Sequence, residues 1–194
     1  EKGFAVNLSQ NFEADLHELD VKVPKRTYKS DPLLTMEIKK HRENNTDAPV
    51  MLVSSPKLDY GTVIPLDFLT ADLKECTIIP VNSSLQTLKD HYLFGDVLKD
   101  VVMSSQKRFV VIASAGLAHG KEGSGVDEKI LNALTNDRDF AALADTITPD
   151  THKKFEICGL GSLLMLGGIL HDLPWQFTRL AYEKTEDEVG MLTG

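Results

Sequence analysis

The chain has 194 residues, of which 42% are hydrophobic and 26% charged, and a formal net charge of −8. That is enough chain for one domain with a real core, and too apolar for a disordered one. The acidic balance with scattered Lys and Arg excludes the basic footprint of a nucleic-acid binder. The two cysteines, Cys76 and Cys158, exclude a disulfide framework or a zinc knuckle.

From the start, residues 3–12 mix apolar and polar positions without clear period, and residues 21–24 alternate like an edge strand ended by Pro24. Ser30, Asp31 and Pro32 give a helix start, with Leu33, Leu34, Met36 and Ile38 carrying the helix to about Arg42. The apolar run 50–53 after Pro49 predicts a strand, and residues 58–69 a helix after Gly61, with Asp59 and Tyr60 on the loop and Leu66, Phe68 and Leu69 inward. Residues 76–81 read as one buried strand ending near Pro80. Helical spacing from Leu85 to Met103, with Gly95 as a point of interruption, predicts a helix leading into residues 109–113.

That run of five apolar residues predicts a strand buried on both faces at the centre of a sheet. Small residues at Ala113, Ser114, Ala115, Gly116 and Ala118 allow a sharp turn and close approach of a ligand, placing His119 at the strand's carboxyl end. In open α/β sheets ligands bind in the crevice outside those ends, so an imidazole there is a candidate acid or base rather than only a solvated loop histidine. Helices are predicted around Val126 to Leu134, over 140–147, from Thr148-Pro149-Asp150, and over 160–170, the last apolar around most of its circumference. Strand-forming residues 175–182 precede the acidic run 183–188, and residues 189–192 close the chain. The fold class is α/β: a three-layer sandwich with a mostly parallel or mixed central sheet and helices on both faces. No segment is long and apolar enough to be a transmembrane helix and no signal peptide is visible, so neither membrane nor nucleic acid is an expected partner and a cytoplasmic location is expected.

Three stretches, in this order, resemble the class III extradiol ring-cleavage dioxygenases, the family of the catalytic subunit of protocatechuate 4,5-dioxygenase. LDYGTVIPLDFL at 58–69 is similar to the family's Asp-His-Gly-Thr-x-x-Pro-Leu segment, ASAGLAHG at 113–120 to its Ser-Gly-Asp-Leu-Ser-His loop, and EICGLGSLLMLGGIL at 156–170 to its Glu-containing start of a buried helix. The resemblance implies a non-haem Fe(II) enzyme that opens a catecholic ring with O2, the metal held by two histidines and one carboxylate. His119 stands at the position of the family's catalytic histidine and Glu156 at that of the metal-binding carboxylate, with Tyr60 in the catalytic surroundings and Asp59, Ser114 and Gly116 as substrate-binding positions.

Other roles compete at these positions. Glu156 also reads as a helix-start acid favoured by the dipole. Cys158 is a rival ligand, although a small buried apolar residue is the plainer reading.

Two departures stand out. Tyr60 replaces the family's histidine in its Asp-His-Gly segment, and a phenol cannot carry a proton near neutral pH as imidazole can. The family's two histidine ligands also have no counterpart: His17, His41, His91 and His152 sit among charged residues expected on surface faces, and His171 ends a helix. The expectation is therefore a single domain, 1–194, lacking an N-terminal segment that supplies both ligands. The competing expectation is a metal-free homologue acting as a partner subunit or binding module. The intact enzyme is expected to act on a small aromatic substrate and to be a homo-oligomer or a partner subunit. GKEGSG at 120–125 lacks the spacing of a P-loop, and Ser114 lacks the Gly-x-Ser-x-Gly setting of a serine hydrolase.

Overall fold

A computed structural model of the chain describes residues 3–15, 25–45, 50–73, 75–184 and 190–193. The predicted edge strand at 21–24 and His17 lie outside the described residues. Two compact units, Glu1–Gln86 and Thr87–Gly194, each carry their own packing. The α/β class expected from the sequence holds, with sheets that mix parallel and antiparallel pairs.

In the first unit, β1 (Phe4–Asn7) is buried along its whole length and forms the middle strand of a sheet ordered β4-β1-β6. It runs parallel to β4 (Val50–Val53), with Phe4 opposite Val50, and antiparallel to β6 (Val81–Asn82). A second sheet is ordered β2-β3-β5, from β2 (Asn11–Ala14), β3 (Arg26–Ser30) and β5 (Thr77–Ile78). In β2 the pleat turns Phe12 and Ala14 inward and Asn11 and Glu13 outward. The run 76–81 is thus two short strands in different sheets rather than one, because Pro80 has no N–H for a ladder and the chain changes partner there.

Helix α1 (Pro32–Asn45) begins where Asp31 accepts a hydrogen bond from the Leu34 N–H at 3.2 Å, continues three residues beyond the expected end, and packs on β1 and β4. Helix α2 (Tyr60–Thr70) starts one residue before Gly61, so Tyr60 is its first residue and Asp59 its cap, accepting from the Thr62 N–H at 2.9 Å. Its buried residues are Val63, Leu66 and Thr70, at helical spacing, against Phe12 and Tyr28. Phe68 and Leu69, expected inward, face outward, Phe68 with 79% exposure, since a helix that buries 63, 66 and 70 turns 68 and 69 away. Asp59→Ala is expected to lower the unit's stability by about 1 kcal/mol through loss of the cap, read as a shift of the urea midpoint at unchanged slope.

The second unit is mainly helical. Helix α3 (Leu88–Ser104) opens on a reciprocal cap: Thr87 Oγ1 accepts from the Asp90 N–H at 3.2 Å, and Asp90 accepts from the Thr87 N–H at 3.0 Å. It runs without a break through Gly95. The glycine is there for packing: a Cβ on Gly95 would overlap the Met165 carbonyl of α7 (Leu160–Leu170), and one on Gly168 the Tyr92 carbonyl of α3. The two backbones therefore touch, which explains why α7 is rich in both glycine and leucine. Around this pair, α4 (Ser124–Asn132), a π-helical turn (Ala133–Asp137), α5 (Phe140–Thr146) and α6 (Pro149–Lys154) complete the helices. The core gathers Ile130, Leu134, Phe140, Ile157, Leu160 and Leu164.

Three expectations fail here. Residues 109–113 form no strand, and Val110 is 86% exposed. Apolar side chains favour burial, but a strand also needs a neighbour for its N–H and C=O groups, and no described strand pairs with this run. His119 accordingly follows an extended loop rather than a central strand. His91, expected at the surface, is 3% exposed, its Nδ1 lying 2.8 Å from the Thr87 carbonyl one turn back on α3. Residues 175–180 have no strand pairing; β7 is confined to Ala181–Lys184 and pairs antiparallel with β8 (Gly190–Thr193). No helix among the described residues is long and apolar enough to cross a membrane.

Candidate functional site

His119 closes the loop of small residues, and that loop is fastened to the chain that enters α7. The His119 N–H donates to the Phe155 carbonyl at 2.9 Å, and the Gly159 N–H to the Gly116 carbonyl at 3.1 Å. A Cβ on Gly159 would overlap Ala115, so only glycine lets the two segments lie this close.

The result is that Glu156 Oε2 stands 3.9 Å from His119 Nδ1, across 37 positions of sequence. This is an electrostatic contact, beyond hydrogen-bond length. Glu156 was expected at the start of the buried helix. It lies instead in the turn between α6 and α7, four residues before Leu160, with φ of 45°. A left-handed non-glycine residue is strained, and such residues cluster where the surrounding structure holds a side chain for a purpose. Its position outside the helix also removes the reading of a helix-start acid. Cys158 is exposed rather than a buried apolar residue, with Sγ 3.9 Å from the Gly116 carbonyl. Ser114 is exposed and Gly116 half-buried on the same loop.

Asp59 and Tyr60 belong to the first unit. There Asp59 helps line a cleft of about 650 Å³ at the carboxyl ends of the parallel strands β1 and β4, with Asn7, Ser55 and Lys57. The Tyr60 ring is exposed. Asn7 was not singled out from the sequence, yet it ties those strand ends together: its amide donates to the Ser55 carbonyl at 2.8 Å while its oxygen accepts from the Ser9 N–H at 3.1 Å. An asparagine ending an apolar run was the available signal. A larger cleft, about 800 Å³, lies in the second unit between Tyr92, Arg138, Phe140, His171 and Trp175 and contains none of the six candidate residues. Volume is a poorer guide than chemistry here, because that cleft is walled chiefly by the ends of α5 and α7 and open loops.

Two further residues next to His119 were missed. Asp127, on α4, is 1% exposed; its Oδ1 accepts from the Ala118 N–H at 2.9 Å and its Oδ2 from the Tyr182 hydroxyl at 2.8 Å. Burial, and then the hydrogen bond and charge of Asp127, push the Tyr182 phenol up to about 12, so it stays a donor at neutral pH. Just beyond His119, Lys184 Nζ donates to the Gly120 carbonyl at 2.9 Å, and Lys154 pairs with Glu122 at 2.9 Å, holding the Glu122 carboxyl below its usual range.

Among the described residues, no group of three or more His, Cys, Asp and Glu side chains could hold a metal ion. His119 and Glu156 by themselves supply one imidazole and one carboxylate, which is not a complete site. His41 lies on α1, His152 Nε2 is 3.0 Å from the Ile157 carbonyl, and His171, which caps α7 as expected, pairs with Asp172 at 3.2 Å.

No match to the chain is found among curated proteins. A family model does match, over residues 2–186, described as the catalytic LigB subunit of aromatic ring-opening dioxygenase. An imidazole on a small-residue loop, facing a strained glutamate, thus sits in a chain matched almost end to end: it belongs to the family of the catalytic LigB subunit of aromatic ring-opening dioxygenases.

Proposed function

We propose that the protein is an Fe(II)-dependent extradiol dioxygenase that opens a catecholic ring with O2. The observation that carries this reading is the approach of His119 to Glu156 within a chain of this family. Glu156 is the proposed metal-binding carboxylate. The described residues do not supply the rest of a metal site.

His119 is the proposed proton-handling residue. With Nδ1 turned toward the Glu156 carboxylate, the tautomer protonated at Nδ1 is favoured. Nε2 is then the basic atom that takes a catechol hydroxyl proton and later returns it. A half-buried imidazole suits this work because one ring nitrogen can accept a proton while the other stays a donor. Tyr60, in the first unit, is proposed as a hydrogen-bond donor rather than a proton carrier. Ser114 and Gly116 are proposed substrate contacts on the His119 loop, and Asp59 is proposed as one within the first unit; the chain is proposed to be a single extradiol-type domain in the cytoplasm, working as a homo-oligomer or partner subunit.

The test is oxygen uptake on a panel of catechols after anaerobic reconstitution with Fe(II), with isotopically labelled O2 to trace the product. Both labelled atoms in a ring-opened product show a ring-opening dioxygenase, and a semialdehyde rather than a diacid shows extradiol cleavage. No uptake and no retained iron would favour the binding-module reading.

A further inference from the structure

We propose that Asp127 and Tyr182 are positioning residues, forming a buried carboxylate clamp that fixes the His119 loop from the side of β7. This rests on the reading of His119 as the proton-handling residue.

The geometry is specific. Asp127 is almost fully buried, and each carboxylate oxygen receives one donor: the backbone N–H of Ala118, immediately before His119, and the hydroxyl of Tyr182. A buried carboxylate is stable only while its oxygens are hydrogen-bonded, so losing either donor leaves an acceptor unsatisfied. Ala118 itself is fully buried and cannot take up water in exchange. Tyr182 and Lys184 are two residues apart on β7 and both half-buried, which puts them on one face of the strand. From that face Tyr182 reaches the residue before His119 through Asp127, and Lys184 reaches the Gly120 carbonyl after it.

His119 is thus bracketed on both sides by one strand, while its own N–H is held by Phe155 and the loop by Gly159. These anchors restrict the backbone on either side of the imidazole and so keep Nδ1 directed at Glu156. A general base gains its effect from being held in place, and loosening its support by a fraction of an ångström is felt in turnover before binding.

The experiment uses the full, metal-loaded chain and two independent readouts, hydrogen exchange of the Ala118 amide and steady-state kinetics. Tyr182→Phe is expected to speed Ala118 exchange roughly ten-fold and to lower kcat roughly ten-fold while KM stays within about two-fold, because an anchor is lost but no substrate contact is. Asp127→Ala removes both bonds and risks unfolding. Asp127→Asn supplies the rescue: its carbonyl can still accept from Ala118 and its amide can donate to the phenol oxygen, so it should stay nearer the wild type than Tyr182→Phe in both readouts.

Unchanged Ala118 exchange in Tyr182→Phe would overturn the clamp. Faster exchange with unchanged kcat would overturn its positioning role. If the wild-type protein shows no turnover with any catechol, the ring-opening reading fails, and the exchange measurement alone still upholds or overturns the clamp.

Discussion

His119→Phe is expected to lower turnover of the metal-loaded enzyme by roughly 10²- to 10⁴-fold, the range over which a positioned acid or base contributes, with bound metal unchanged. Phenylalanine keeps a flat aromatic ring, somewhat larger than imidazole, but cannot carry a proton. The side chain is half-exposed, while the fold's own contacts in this loop are made by the buried Leu117 and Ala118 and by the His119 backbone bond to Phe155, none of which the substitution removes. Stability should therefore hold while activity falls. Loss of metal along with activity would instead make His119 a ligand and overturn its assignment as the proton-handling residue.

Gly168→Ala carries the largest expected effect on stability. The added methyl would meet the Tyr92 carbonyl, the Asp96 nitrogen and the backbone of Gly95. All three are main-chain atoms, which cannot swing aside as a side chain can, so α3 and α7 would have to separate. Overpacking of this kind costs about 1–3 kcal/mol or more, and α7 also carries Leu160 and Leu164 into the core of the second unit. Gly125→Ala makes the control: nothing lies within 4 Å of a Cβ at that position in α4. It should raise stability by about 0.5–1 kcal/mol through helix propensity alone. Urea unfolding of both variants should therefore shift in opposite directions, and a neutral Gly168→Ala would show that the two helices are not in backbone contact.

Local chemistry determined much of this protein from the sequence alone. Helices α1, α5, α6 and α7 and strand β4 could be read because a capping residue, a proline in the first turn, helical spacing or a short β-branched run acts over a few neighbouring residues. The order of three motifs likewise pointed to the ring-opening family.

Tertiary structure decided whatever depends on a distant partner. Residues 109–113 have the composition of a central strand but no described neighbour to complete one, and 76–81 divides between two sheets because pairing is chosen by other strands. His91 sits among charged residues in sequence, yet α3 turns it inward; Phe68 and Leu69 are apolar, yet α2 turns them out. The strained turn that aims Glu156 at His119, and the bond from Tyr182 to Asp127 spanning 55 positions, follow no periodic pattern. A hydrogen bond between residues so far apart depends on how several elements pack at once, and only the folded chain brings its donor and acceptor together.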